Sequence, residues 1–479
     1  MINSINRRTK QTARIVIIGA GPSGIAAATR LLEQGFKNVS ILEAEDRIGG
    51  RICTVPFGDS VVDKGAQWCH GETGNVVYQL VKDLNVLDRT GDVMKAMNFV
   101  RSNKEVLSNE NAFILGAAFQ GSLPTPPNET NGSLGDHLTN NYWNALSKSP
   151  SVDKTIAKEM LETSKKLRCS FTAYDHLFEV SRRAHLEFKM SDGEFLLNWK
   201  DKGYRSFLKL LMKAKPNAAD DLGVLNGRVR LNKRLAEINY ASDIQVKLRC
   251  NDGEVLTADH VICTVSLGVL KEQHSQLFVP ALPEAKVRAI KGLKMGTVNK
   301  FYFEYATQPL PVDWFGATFL WLDEDLDELR GSERFWLESI FGFHRVLHQP
   351  RLLQGWIIGE HARYMETLTE EEVLEGLQWL FRKFLPFNMP QPQRFLRTQW
   401  NSNPSFRGTC SSRTNYTDEL RTGPWDLATP LLDQSGRPKV QFAGEASSNT
   451  HFSSVHGAVE AGWREADRLN EYYNSRNKL

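Results

Sequence analysis

The segment from Arg14 to Arg51, RIVIIGAGPSGIAAATRLLEQGFKNVSILEAEDRIGGR, constrains the fold of this chain more than any other. Ile15 to Ile18 has the length of a fully buried strand, and Gly19-Ala20-Gly21-Pro22-Ser23-Gly24 follows it directly and opens a helix of small residues. Gly19 allows a sharp turn, Gly21 lets the backbone approach a pyrophosphate with no Cβ in the way, and Gly24 lets the helix lie close on the strand. Pro22 suits the first helical turn, where its missing N–H leaves nothing unpaired. The free amides of that turn, beside Ser23, and the positive end of the helix dipole then face two phosphate charges. A second apolar strand, Val39 to Leu42, leads to Glu43, at the offset where a carboxylate accepts hydrogen bonds from an adenosine ribose.

Nicotinamide and flavin dinucleotides share this half-site, and the next residues bear on the choice. In Arg47-Ile48-Gly49-Gly50-Arg51, two adjacent glycines flanked by arginines make a second backbone turn near the same pyrophosphate, with a guanidinium able to add charge-assisted bonds. Here the chain resembles the flavin-containing amine oxidases, in which the ribose glutamate is followed by an R-x-G-G-R segment. The resemblance recurs in family order to the C-terminus. Asp63-Lys64-Gly65-Ala66-Gln67-Trp68-Cys69-His70-Gly71 is similar to the segment running under the flavin ring in the polyamine oxidase branch. Val229 and the run Ala258 to Leu270 resemble the second dinucleotide-contacting portion, and Gly296-Thr297-Val298-Asn299-Lys300 followed by FYFE the lysine-bearing strand. Trp400 to Gly408 (WNSNPSFRG), Phe442-Ala443-Gly444-Glu445 and His456-Gly457-Ala458 complete the set. Within the family, the GAQW-x-HG and NP-x-FRG strings point to spermine and acetylpolyamine oxidases.

The resemblance implies an α/β fold: a Rossmann-like FAD-binding domain of the glutathione-reductase type and a discontinuous α+β substrate-binding domain. The expected FAD domain comprises residues 1–100, 218–299 and 401–479, and the substrate domain residues 101–217 and 300–400. Asp153 to Leu167 and Glu370 to Phe384 carry helical periodicity, whereas three prolines and three glycines make Gly121 to Gly135 a loop.

The implied reaction removes a hydride equivalent from the carbon beside an amine nitrogen. It leaves an imine that water hydrolyses, and molecular oxygen becomes hydrogen peroxide, the cofactor carrying the hard chemistry. Lys300 is the first catalytic candidate, because its family counterpart points at flavin N5 through a water. On a strand whose neighbours alternate it would face the interior, and burial would lower its pKa. His70 matches the histidine of the substrate channel, and Trp68 is expected to pack near the flavin. Glu445 is expected at the ribityl or pyrophosphate portion. Ser454 and Val455, where a helix begins, are expected to aim amides at the flavin pyrimidine.

The chain departs from the family pattern in three ways. Cys410 stands where an aromatic wall residue is common, and Ser454 occupies the second wall. The monoamine branch links its flavin through a cysteine that would align with Thr409; Cys410 is one residue away and neighbours in an extended segment point oppositely, so non-covalent FAD is expected. Arg182 and Arg183 fall where polyamine-oxidising relatives carry acidic or hydroxyl groups, which opposes a polycationic substrate. Two other readings share these residues: a catalytically weak FAD-binding scaffold, and a desaturase or porphyrinogen oxidase, which Lys300 and GAQW-x-HG disfavour.

Composition is consistent with a multi-domain enzyme. In 479 residues, 41% hydrophobic content supports sizeable cores, and a net charge of +3 gives no reason to expect nucleic acid. Cys53, Cys69, Cys169, Cys250, Cys263 and Cys410 lack paired spacing or a histidine cluster, so reduced thiols and no metal are expected. The acidic run Asp323, Glu324, Asp325, Asp327 and Glu328 reads as a solvated face. No apolar run reaches the ~18 residues of a membrane span, and MINSINRRTKQT lacks a signal-peptide core. A cytoplasmic location is expected, with a peroxisomal alternative through Asn477-Lys478-Leu479, and the Asn128-Glu129-Thr130 sequon reads as chance.

Overall fold

The computed structural model describes residues 8–89, 97–125, 131–148, 152–200, 202–215, 218 and 220–476. The sequon at Asn128-Glu129-Thr130 and the tripeptide Asn477-Lys478-Leu479 lie outside the described residues.

Two six-stranded sheets organise the chain. In the first, the strand Arg14–Ile18 is central, flanked in parallel by Asn38–Leu42 and His260–Cys263, with Val229–Arg230 and Pro438–Phe442 farther out and Leu431–Leu432 closing one edge. The strand Arg14–Ile18 is buried at four of its five positions because helices cover one face and a second sheet the other, which is why it shows no polar alternation. The helix Pro22–Glu33 and the C-terminal helix Val455–Arg476 pack on the first face through small residues: a Cβ on Gly462 would come within 2.2 Å of the Ser23 carbonyl oxygen. On the other face lies a four-stranded sheet of Leu235–Asn239, Val246–Cys250, Val255–Ala258 and Phe278–Val279.

The second sheet runs in the order Arg394–Arg397, Val298–Glu304, Gln349–Ile358, Ile340–Val346, Gly316–Leu320, Met97–Arg101, antiparallel except for the last pair. The helix Glu370–Phe384 covers one face through Val373, Leu377, Leu380 and Phe384, and its Thr369–Glu372 capping box fixes where it starts. The helices Leu134–Leu146 and Lys154–Ser170 lie against the other face. The loop expected from Gly121 to Gly135 is shorter than its composition suggested. Gly121 closes the helix Asn109–Gly121, and Ser133 caps the next helix by accepting a bond from Asp136 N at 3.0 Å.

Asp323, Glu324 and Asp325 of the acidic run lie in the first turn of the helix Asp323–Arg330, where carboxylates complement the positive end of the helix dipole. Asp323 pairs with Lys158 and Asp325 with Lys383, so part of that face is cross-linked to neighbouring helices.

Thr297 separates a small two-stranded sheet from the second six-stranded sheet. The short strand Lys294–Gly296 pairs with Cys410–Ser412, and one residue later Val298–Glu304 joins the second sheet. The lysine-bearing segment is therefore two strands with a break, which places Lys300 near the start of the second sheet and beside the Cys410 strand.

Candidate active site

The three glycines of the first turn occupy distinct environments. Gly19 has φ +100°, and a Cβ there would sit 2.5 Å from Thr264 Oγ1; on Gly24 it would sit 2.0 Å from the Gly19 carbonyl oxygen. On Gly21 a Cβ would meet nothing within 4 Å. Two of the glycines are thus demanded by packing, whereas Gly21 borders open space, as a phosphate cradle requires. Ser23 Oγ, on the first turn of the helix, is buried with no hydrogen-bond partner among the described residues, an orphan that a phosphate oxygen would satisfy. Gly50 has φ +56°, and a Cβ there would lie 3.2 Å from Gly21 Cα, so the second glycine turn lies on the first.

Glu43 is buried at the strand end. Its Oε2 accepts from Ala20 N at 2.7 Å and its Oε1 from Glu45 N at 2.9 Å. Burial raises its pKa, opposed by those two backbone bonds. The carboxylate therefore braces the glycine turn, and each oxygen retains a lone pair for a ribose hydroxyl. Val229 pairs with Ile41 at the adjacent sheet edge, and Glu43 N donates to Arg230 O, so Val229 borders the same end of the sheet.

Arg51 Nη1 donates to Glu445 Oε1 at 2.8 Å and to Thr409 O at 2.5 Å. Glu445 Oε2 accepts from Ser453 N and from the Ser411 hydroxyl. One carboxylate thus ties the R-x-G-G-R turn, the Cys410 strand and the start of the C-terminal helix together. Ser454 Oγ accepts from Gly457 N at 3.0 Å and donates to His451 O at 2.6 Å, so its hydroxyl caps that helix. Val455 is the first helical residue, so the free amides of that first turn lie beside the Glu445 contact to Ser453.

Lys300 is 7% exposed, and all three of its N–H groups are directed at protein acceptors: Asp63 O at 2.9 Å, Gly65 O at 2.7 Å and Gln67 Oε1 at 2.8 Å. Burial lowers its pKa to about 7, against the pull of the Asp63 carboxylate. Asp63 is raised to about 6 by its own burial, opposed by the Thr54 hydroxyl and Lys300. Tyr302 Oη donates to Asp63 O at 2.7 Å and holds that carbonyl in place. Ala66 N donates to Arg51 O at 3.0 Å, and a Cβ on Gly65 would lie 1.8 Å from the same oxygen, so the segment from Gly65 to Trp68 is pressed onto the R-x-G-G-R turn. Trp400 is buried there, its indole donating to Lys64 O at 3.1 Å.

Trp68 neighbours both Lys300 and His70. The lysine nitrogen is 6.0 Å from its ring and the imidazole 6.5 Å away. His70 Nδ1 faces Phe195 O at 2.9 Å, and its ring stacks on Phe195 at 4.6 Å. A carbonyl partner makes Nδ1 the protonated nitrogen and leaves Nε2 as the lone-pair nitrogen; burial lowers the pKa and keeps the ring neutral. Trp356, paired with Lys300 across the sheet, packs on Trp68 at 5.6 Å and supplies an aromatic wall that sequence alone did not reveal.

Thr409 Oγ1 accepts from Val298 N at 3.0 Å and is tied to the strand break. Cys410 is a free thiol whose pKa burial pushes up to about 11. All six cysteines are free, and the described residues hold no cluster of metal-ligating side chains. Arg182 directs its guanidinium at His137 Nδ1, 3.0 Å away, on the helix Leu134–Leu146, while Arg183 is exposed.

A glycine turn with an orphan hydroxyl, a buried carboxylate bracing that turn and a desolvated lysine beside an aromatic wall fit a flavoenzyme. The chain belongs to the flavin containing amine oxidoreductase family, whose pattern matches residues 22–470, and it is an FAD-dependent amine oxidase. It is 30% identical to the human peroxisomal N(1)-acetyl-spermine/spermidine oxidase, covering 95% of this chain and 94% of that one. It is 28% identical to the probable polyamine oxidase 5 of Arabidopsis thaliana, over 96% and 98% of the two chains. A solved putrescine oxidase bound to putrescine shares the fold with a TM-score of 0.68 at 17% identity, over 95% of this chain and 98% of that one. No helix among the described residues is long and apolar enough to cross a membrane.

Proposed function

We propose that the protein oxidises a polyamine, spermine or an acetylated polyamine in the first instance, to an imine that is hydrolysed to aldehyde and amine. The observation that carries this is the grouping of Lys300 and His70 around Trp68, 6.0 and 6.5 Å from its ring, in a chain whose relatives are named as oxidases of acetylated spermine, spermidine and other polyamines. Bound FAD supplies the hydride acceptor and passes electrons to molecular oxygen. In this reading Gly19, Gly21, Ser23, Gly24, Gly50 and Arg51 hold the pyrophosphate side, and Glu43 and Val229 the adenosine. Ala66, Gln67, Trp68, Trp400, Glu445, Ser454 and Val455 surround the flavin portion.

His70 Nε2 offers a lone pair to the substrate amine, which must be neutral when its carbon loses hydride; a neutral imidazole serves this better than a cation. For Lys300 to order the water that hydrolyses the imine, one of its three bonds to Asp63 O, Gly65 O or Gln67 Oε1 must open. We assign residues 1–100, 218–299 and 401–479 to the FAD domain and 101–217 and 300–400 to the substrate domain, with the break at Thr297 joining them. The cytoplasm is the proposed location, with the peroxisome as alternative.

Peroxide release from purified holoprotein against spermine, spermidine, their acetylated forms and monoamines tests the substrate. Turnover confined to monoamines would overturn the polyamine reading. Retained FAD with no turnover on any amine would favour the scaffold reading. In the same preparation, acid precipitation is expected to release yellow flavin into the supernatant; flavin in the pellet would contradict non-covalent attachment.

A further inference from the structure

Two of the acceptors around Lys300, the carbonyls of Asp63 and Gly65, can only accept. The third, Gln67, can turn its amide and donate. Because Lys300 donates to Gln67 Oε1, Gln67 Nε2 must point the other way, where it donates to Gln354 Oε1 at 3.0 Å. That leaves Gln354 Nε2 facing the ring of His344, 3.3 Å from Nδ1 and 3.5 Å from Nε2. His344 Nδ1 lies 2.8 Å from Arg345 O, so Nδ1 carries the proton and Nε2 is the acceptor. Every link has the same polarity, and the four side chains are buried. The sheet builds this line: His344 pairs with Gln354, and Lys300 with Trp356, two residues on and on the same face.

A neutral Lys300 has two N–H groups and one lone pair. The fixed carbonyls take the two N–H groups, and the lone pair then needs a donor, which Gln67 supplies only by turning its amide. That turn reverses Gln354 and requires N–H at His344 Nε2, at the expense of the bond from Nδ1 to Arg345 O. We propose that Gln354 and His344 are positioning residues that hold Lys300 in its charged, three-donor state through Gln67, coupling the protonation of the lysine to the tautomer of a histidine two amides away. The proposal rests on the reading of Lys300 as the residue beside the flavin. The titratable groups facing Lys300 are Asp63, Cys410 and His344. Burial keeps His344 low, near 4, so it stays neutral wherever Lys300 titrates.

The test is a pH titration of the resting flavin absorbance of holoprotein, with FAD content and thermal midpoint recorded for each variant. In wild type a step is expected near the lysine pKa, and Lys300→Met is expected to abolish it. Gln354→Leu frees Gln67 to donate to the neutral amine, so the step should fall by about one pH unit or more, the size of a lost charge-assisted bond. His344→Phe keeps the stacking on Trp356 and Phe315 while removing the terminal acceptor, and should shift the step the same way. Gln354→Glu accepts from Gln67 and cannot donate, so it should hold the step at or above its wild-type position. An unmoved step in either Gln354→Leu or His344→Phe, whichever folds with FAD bound, overturns the coupling while leaving Lys300 beside the flavin. A step that persists in Lys300→Met overturns the placement of Lys300 and the coupling with it.

Discussion

At the scale of single residues, burial and hydrogen bonding set the chemistry. Lys300 sits among two carbonyls and an amide oxygen, so its desolvation is only partly offset. Lys300→Met keeps an unbranched chain of similar length and removes the amine. The variant should bind FAD and lose turnover, with flavin reduction by amine, reoxidation by oxygen, or both slowed in stopped-flow absorbance. Rates equal to wild type in both half-reactions would refute the role, and loss of FAD would mark the lysine as structural. Glu43 carries a different burden, since its two oxygens hold Ala20 N and Glu45 N as well as facing the ribose site. Glu43→Ala removes charged hydrogen bonds of roughly 1.5–3 kcal/mol each in context. FAD affinity should weaken about ten- to a hundredfold. Because backbone donors are orphaned too, the apoprotein should also melt lower. An unchanged apoprotein melt with weakened FAD would show that Glu43 acts on the ribose alone.

At the scale of elements, the glycine turn separates two functions that look alike in sequence. A Cβ on Gly24 would strike the Gly19 carbonyl at 2.0 Å, whereas one on Gly21 would meet nothing within 4 Å. Gly24→Ala should therefore destabilise the apoprotein by about 1–3 kcal/mol, the usual range for overpacking. Gly21→Ala should leave the apoprotein melting as wild type and weaken FAD. Thermal melts of both apoproteins, followed by FAD titration, check this; equal destabilisation would mean that the turn is packed on all sides. The strand, turn and helix of this unit were legible because buried parallel strands and small-residue helices leave local signatures. The helix Glu370–Phe384 was legible to the residue, since a capping box and an amphipathic stripe mark it. The break at Thr297 was not, because Gly296 to Glu304 reads as one strand until Cys410–Ser412 and Gln349–Ile358 compete for its edges. Nor did alternation identify the inward face of Lys300: six of the seven positions in Val298–Glu304 are buried, both faces of the sheet being covered. Gln354, His344 and Trp356 carried no signal at all, since only strand register brings them to Lys300. The motifs held the residues near the cofactor, and long-range pairing supplied the ones behind them.

At the scale of the whole molecule, imidazoles buried in separate bodies tie stability to pH. His260 lies in the first sheet between Pro438 O and Tyr473 Oη, His344 in the second, and His456 near the start of the C-terminal helix beside His451. Burial lowers their pKa values to about 4, 4 and 3 respectively. An unfolded histidine titrates near 6.5, so between about 6.5 and 4 the unfolded chain binds more protons than the folded one. The stability contributed by keeping these rings neutral is complete above about pH 6.5 and is lost as pH falls through the window, each ring adding up to about 1.4 kcal/mol per pH unit. Asp63, raised to about 6, acts in the opposite sense, because the folded state takes up its proton first. One such group offsets one ring, so the net slope still favours unfolding on acidification. Urea midpoints measured at pH 7.5, 6 and 5 should fall steadily, with the slope of the unfolding free energy against pH exceeding one proton below pH 6. Replacing one of these rings by an isosteric carbon ring, as in His344→Phe, should flatten that slope by up to one proton. A midpoint that stays level from pH 7.5 to 5 would mean that the buried imidazoles are protonated in the folded state.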